Sequence, residues 1–191
     1  MLNINVTIQG VTPILMNRFT EENELKISSG SSAVQIGHKG TPREQASKKT
    51  YSDNEGNLYI PGTNIFACII EAGKFHKVGK TKVTTKKSSL IPAGMAVTEI
   101  VCPLNTKDFE VDSRSVVIPA TGGRIVAHRP RLDKWQLSFT LAVDESMFAP
   151  DLVRQIVDDA GCKVGLGDFR PNRKGPFGKF SVVKWEIEKA A

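Results

Sequence analysis

Three cysteines in 191 residues leave little to staple the chain with. Cys68, Cys102 and Cys162 are odd in number and far apart, which excludes a disulfide framework and suits a reducing cytosol. Histidine is equally sparse. His38, His76 and His128 sit away from one another and from the cysteines, so no pair has zinc-ligand spacing and neither a metal nor a cofactor is expected. No run approaches 18 consecutive apolar residues, so no membrane-spanning helix is expected. The first residues, Met1-Leu2-Asn3-Ile4-Asn5, lack the basic-then-apolar pattern of a secretory signal. The expected setting is the cytoplasm, with no membrane partner.

Catalytic signatures are missing too. There is no Gly-x-Ser-x-Gly elbow. Gly73 to Thr81 resembles a phosphate loop, but five residues separate its first glycine from Gly79-Lys80 where four are needed, and it follows a helix instead of a strand. Gly165-Leu166-Gly167 fails as a dinucleotide fingerprint because Arg170 stands where the third glycine belongs. Asp158-Asp159 occupies adjacent helical positions about 100° apart, which suits solvated charge better than a metal pair.

What is abundant is positive charge. Lysine and arginine total 26 against 20 acidic residues, a formal charge of +6. That bias favours acidic partners, nucleic acid first. Three sets stand out. Lys74, Lys77, Lys80, Lys82, Lys86 and Lys87 fall in a stretch with no acidic residue between Ala72 and Thr98. They form either a solvated loop or a surface for a phosphate backbone. Arg114, Arg124, His128, Arg129 and Arg131 flank Gly122-Gly123, and either fork onto phosphates or pair with Asp108, Asp112 and Asp133. Arg170, Arg173, Lys174 and Lys179 are interleaved with Gly165, Gly167, Gly175 and Gly178. Phe169 and Phe177 in that loop are either stacking platforms or core anchors.

Periodicity organises the chain as one domain, 1–191. Leu2, Ile4, Val6 and Ile8 alternate with polar residues, as do Trp135, Leu137, Phe139, Leu141 and Val143, so both segments are half-buried strands. Met95 to Leu104 reads as one strand, and a last strand carries Val183, Trp185 and Ile187. Ile65, Phe66, Ile69 and Ile70 form a helical face capped by Thr63 or Asn64 and stopped by Gly73. Leu152, Val153, Ile156, Val157 and Ala160 form another, opened by Pro150 and ended by Gly161. Residues 20–57 and 105–131 are inserted loops or a hairpin, the first with a short helix at Arg43 to Lys49, capped by Thr41 with Glu44 three residues on. The order strand, helix, strand, strand, helix, strand predicts an α+β fold of ferredoxin-like, RRM-like type. It has an antiparallel sheet, both helices on one face, and an exposed sheet face left for a ligand.

Two segments carry a family resemblance. Leu58-Tyr59-Ile60-Pro61-Gly62-Thr63-Asn64-Ile65, preceded by the polar turn Asp53 to Asn57, resembles the helix start of the repeat-associated mysterious protein (RAMP) superfamily. The loop Gly165 to Phe180 resembles its glycine-rich loop. Within the superfamily the chain is most similar to backbone subunits of CRISPR effector complexes, though Phe66-Ala67 replaces the usual lysine-glycine. The resemblance implies sequence-independent binding of single-stranded guide RNA, copies of the chain lined up in a filament, other effector subunits, and a complementary target DNA or RNA. It implies a projecting thumb, for which Val111 to Arg131 or residues 20 to 50 are the candidates. Members that cut target RNA use an aspartate after the first strand. None occurs between Gly10 and Ser52, which implies a non-catalytic subunit. The rivals are a metal-independent RNA endonuclease of the superfamily, with His38 as base, and an interaction module with an incidental basic surface.

Overall fold

The computed structural model describes residues 1–19, 40–117 and 122–189. His38 and most of the 20–50 thumb candidate lie outside them. The chain is an α+β fold with antiparallel sheets and few helices.

The alternation of the first strand does what period two requires. In β1 (Leu2–Gly10), Leu2, Ile4, Val6 and Ile8 are at most 2% exposed, while Asn3, Asn5 and Thr7 point to the other face. β10 (Gln136–Val143) pairs antiparallel with it, placing Phe139 opposite Val6 and Leu141 opposite Ile4. Each such buried side chain contributes roughly 1.5–3 kcal/mol relative to exposure. β11 (Phe180–Lys189) flanks β1 on its other side, and β6 (Met95–Val97) flanks β10, so the order across the sheet is β11-β1-β10-β6.

Two helices close the apolar side. α2 (Gly62–Ala72) buries Ile65, Cys68, Ile69 and Ala72; α4 (Pro150–Asp159) buries Val153, Ile156 and Val157. Both belong to one continuous core with β1 and β10. α1 (Pro42–Ser47) has the expected capping box, the Glu44 N–H reaching Thr41 Oγ1 and the Thr41 N–H reaching Glu44 Oε2. α3 (Ile91–Gly94) is a single turn leading into β6. No helix among the described residues is long and apolar enough to cross a membrane.

The second sheet grows out of the 105–131 segment. β8 (Glu110–Val117) and β9 (Arg124–Leu132) form a long antiparallel hairpin, and β2 (Ile14–Leu15) adds a third strand beside β9. β3 (Tyr59–Pro61) pairs with β7 (Val101–Pro103), and the dipeptides β4 (Lys77–Val78) and β5 (Thr81–Lys82) make a small hairpin.

Several expectations need correction. Met95 to Leu104 is not one strand, because β6 pairs with β10 while β7 turns away to β3. The cap of α2 is Pro61, not Thr63 or Asn64. The strand runs straight into the helix, and Gly62 is required there: its N–H donates to the Ile100 carbonyl, and a Cβ would lie 1.9 Å from the Glu99 oxygen. The helix ends at Ala72 with Gly73 as its C-cap, as expected, and a 3-10 turn, Gly73–Phe75, follows. α4 continues past Gly161 as a π turn, Ala160–Val164. In β11 the register slips between Thr7 and Ile8, so Val182 rather than Val183 faces the core, and Val183 is 51% exposed.

Candidate nucleic-acid interface

The β8–β9 hairpin packs on α1, and the rest of the basic surface borders α2. The glycine-rich loop lies against it: the Cys68 thiol donates to the Gly165 carbonyl at 3.2 Å, and the Asn172 amide donates to Glu71 at 3.3 Å. Burial pushes the Cys68 thiol up to about 12, so it is a packing group and not a nucleophile. The loop's glycines serve its own folding. Gly178 has a φ of +72°, and a Cβ on it would meet the Leu166 carbonyl at 1.8 Å; one on Gly175 would meet the Phe169 carbonyl at the same distance. Gly165 and Gly167 are also left-handed, packed on Pro171 and on the Leu15 carbonyl. These four glycines therefore shape the loop that carries the cations.

Asp168 ties this loop to the β8–β9 hairpin. Its N–H donates to the Leu15 carbonyl at 2.8 Å, and its Oδ2 lies 2.7 Å from Arg129 Nε and accepts from the Asn17 amide. Lys49 reaches the same place from the end of α1, its ammonium donating to the His128 carbonyl at 2.9 Å. Burial, then the nearby Arg129 charge, lower the Lys49 pKa, and Asp168 opposes them. Sequence reasoning missed Lys49, Asn17 and Asp168. Each is an isolated polar residue, and only Lys48-Lys49 at the end of a capped helix offered a signal.

Ion pairing engages part of the hairpin set. Arg114 donates through Nε to both oxygens of buried Asp112, at 2.8 and 2.9 Å, and its guanidinium lies 4.8 Å from the Phe177 ring centre. Arg131 pairs with Asp133 at 2.7 Å. The Nε–H groups of Arg129 and Arg131 do not point at their carboxylates; Arg131 instead donates through Nη2 to Asp133 Oδ2 at 3.2 Å. Arg124, at the far end of β9, is exposed and without an ion pair among the described residues. Phe177 is 7% exposed and anchors the loop, whereas Phe169, with a φ of +48°, is 37% exposed beside it.

The lysine set continues from the end of α2. Lys74 pairs with Glu71, whose carboxyl is held below its usual range first by that hydrogen bond, with Arg170 also contributing. Lys74 and Asn172 thus meet at one carboxylate. Beyond them Lys77 stands directly opposite Lys82 across the β4–β5 hairpin, with Lys80 in the turn between. Like charges placed opposite each other destabilise a hairpin. Among the described residues no carboxylate is in ion-pair reach of Lys77, Lys80, Lys82, Lys86 or Lys87, nor of exposed Arg173 and Lys174. Lys179 is half-buried, its backbone fixed to Val11 and Thr12.

The glycine-rich loop is therefore linked to the hairpin by the Asp168–Arg129 pair and to Lys74 by Glu71, which also accepts from Asn172. The open face of the four-stranded sheet is different. It carries the hydrogen-bonded pairs Asn5–Glu188 and Thr7–Ser138 and the ion pair Lys184–Glu186, and among the described residues it has no aromatic side chain on which a base could stack. A hollow of about 590 Å³ beside β10 is rimmed by Asp108, Glu110 and Asp133 as well as Arg131 and Lys134, a mixture that does not favour a polyanion.

A chain whose helices pack on an antiparallel core and which carries a cationic loop, hairpin and finger belongs, by its fold, with α+β domains. Among solved structures it is similar to a chain of the Type III-B Cmr-beta complex determined by cryo-EM bound to cognate target RNA, with a TM-score of 0.56 and 16% sequence identity. The likeness covers 100% of this chain and 61% of that one, and at this identity it shows a shared fold. No family model matches the sequence, and no curated protein does.

Proposed function

We propose that the chain is a non-catalytic subunit of a CRISPR-type ribonucleoprotein that holds single-stranded RNA by its sugar–phosphate backbone. The observation that carries this reading is the linkage of the cationic glycine-rich loop to the β8–β9 hairpin through Asp168 and to Lys74 at the end of α2 through Glu71. Two further facts support it. Lys77 and Lys82 are held opposite one another with no carboxylate in ion-pair reach among the described residues, an arrangement relieved by a bound polyanion. The neighbouring fold occurs in an RNA-bound effector complex. The strand order β11-β1-β10-β6, with α2 and α4 as the two crossovers, supports the ferredoxin-like, RAMP-type topology, and the β8–β9 hairpin is our candidate for the thumb. Copies of the chain and other effector subunits would complete the assembly, with guide RNA in the track and target strand paired to it.

The histidines within the described residues are engaged in ways that suit a binding role. His76 lies 3.0 Å from Asp159, which also holds Lys163, and His128 lies 2.7 Å from the Ser113 hydroxyl. Filter binding of single-stranded RNA across a salt series tests the proposal. With about four to six phosphates engaged, the log–log slope should be roughly −3 to −4. A flat response would exclude backbone recognition.

A further inference from the structure

Between the start of α2 and the glycine-rich loop lies a hollow of about 220 Å³ that phosphate binding does not use. It is several times the roughly 30 Å³ of one liquid water. It is smaller than the roughly 300 Å³ at which drug-sized sites begin. It admits one heterocyclic ring and not a stacked run. Ile60, Cys68 and Leu166 give it an apolar floor, each at most 4% exposed. Tyr51 forms part of its wall, with the Tyr59 ring 6.0 Å behind.

Two polar groups on that wall are idle. The half-buried Asn64 amide and the Tyr51 hydroxyl have no hydrogen-bond partner among the described residues. Such groups are satisfied by water or by a ligand. Asn64 is also fixed in place, because it sits in the first turn of α2 directly after the close approach of Gly62 to the Glu99 carbonyl. At the rim Arg170 gives Nη1 to the Gly167 carbonyl at 2.7 Å, and its remaining donors have no hydrogen-bond partner among the described residues.

We propose that this hollow receives one unpaired nucleobase, its edge read by the Asn64 amide, its ring against Tyr51 and its phosphate toward Arg170. An amide carries a donor beside an acceptor and matches a base edge bidentately. The base belongs either to a bound strand or to a free mononucleotide. The strand version rests on the RNA-binding reading above, whereas the mononucleotide version does not.

Fluorescence anisotropy with labelled adenine, cytosine and uracil RNA homopolymers of roughly 15 nucleotides tests it. The intact protein should rank the three by about fivefold or more, the low end of what a bidentate amide–base pair supplies. Asn64→Ala should level the ranking, and Asn64→Asp, of equal shape but accepting only, should reorder it. Arg173→Ala with Lys174→Ala should weaken all three alike and keep the ranking. Equal binding of all three by the intact protein overturns the strand version of the pocket and leaves backbone binding standing. Absence of any RNA binding overturns the RNA reading instead. Saturation-transfer NMR with the four nucleoside monophosphates then decides the pocket: signals that vanish in Asn64→Ala support it, and no signal from the intact protein overturns it.

Discussion

Reversing one charge in the β4–β5 hairpin separates folding from function. Lys77 faces Lys82 directly, a like-charge pair that costs the hairpin stability. Lys77→Glu turns it into an opposite-charge pair, a swing of roughly 0.2–1 kcal/mol toward the folded state. For a chain of this size 1 kcal/mol corresponds to about 2–4 °C in Tm, so melting should hold or rise by no more than that. RNA binding should move the other way. A cation that faced a phosphate is replaced by a charge that repels it, so the salt slope should become shallower by at least about 0.7. The paired assays are a thermal melt and a filter-binding salt series on the same preparation. A variant that binds RNA as tightly as the parent, with the parent's slope, would refute the assignment of this hairpin to the phosphate track.

Other variants probe the frame around the track. Gly178→Ala places a methyl 1.8 Å from the Leu166 carbonyl at a left-handed φ, and should cost on the order of 1–3 kcal/mol in urea unfolding, with RNA affinity falling as the loop shifts. Arg114→Ala leaves Asp112, 4% exposed, without its guanidinium; a loss of about 1–3 kcal/mol is expected, and Asp112→Asn in the same background should recover part of it. Burial pushes the Asp159 carboxyl up, but Lys163 and then His76 outweigh it and hold its pKa below the ordinary value. Its stabilisation is therefore present above the ordinary carboxylate range and lost as pH falls through and below it, so Asp159→Asn should flatten the acid limb of the stability curve. Incubation with labelled RNA should give no cleavage products, and products that vanish in His38→Ala would point to the endonuclease instead.

How much of this was legible in the sequence follows from the range of the forces involved. β1, β10 and α4 announce themselves because their burial repeats every two or every three to four residues. The Thr41–Glu44 box is equally local. Met95 to Leu104 misleads because its apolar run is continuous while its pairing partners differ, a fact held by β3 and β10 rather than by the run itself. The β11 bulge is likewise set by its register on β1. The three cationic sets were visible as composition. Which arginines are spoken for was not, since Asp168, which ties up Arg129, is 39 residues away along the chain. The nearby partners Asp112 and Asp133 were foreseeable, and they engage Arg114 and Arg131. Lys77 opposite Lys82 depends on a two-residue hairpin too short to carry a pattern.

The central claim is that finger and loop contribute to one continuous track, and salt slopes measured on a single RNA oligonucleotide test it most directly. The set comprises the parent, Lys80→Ala with Lys82→Ala, Arg173→Ala with Lys174→Ala, and all four changes combined. Each pair should reduce the slope by about 1.4, and the combination by about 2.8. If one pair alone removed the whole salt dependence while the other left it untouched, the two regions would not share a strand.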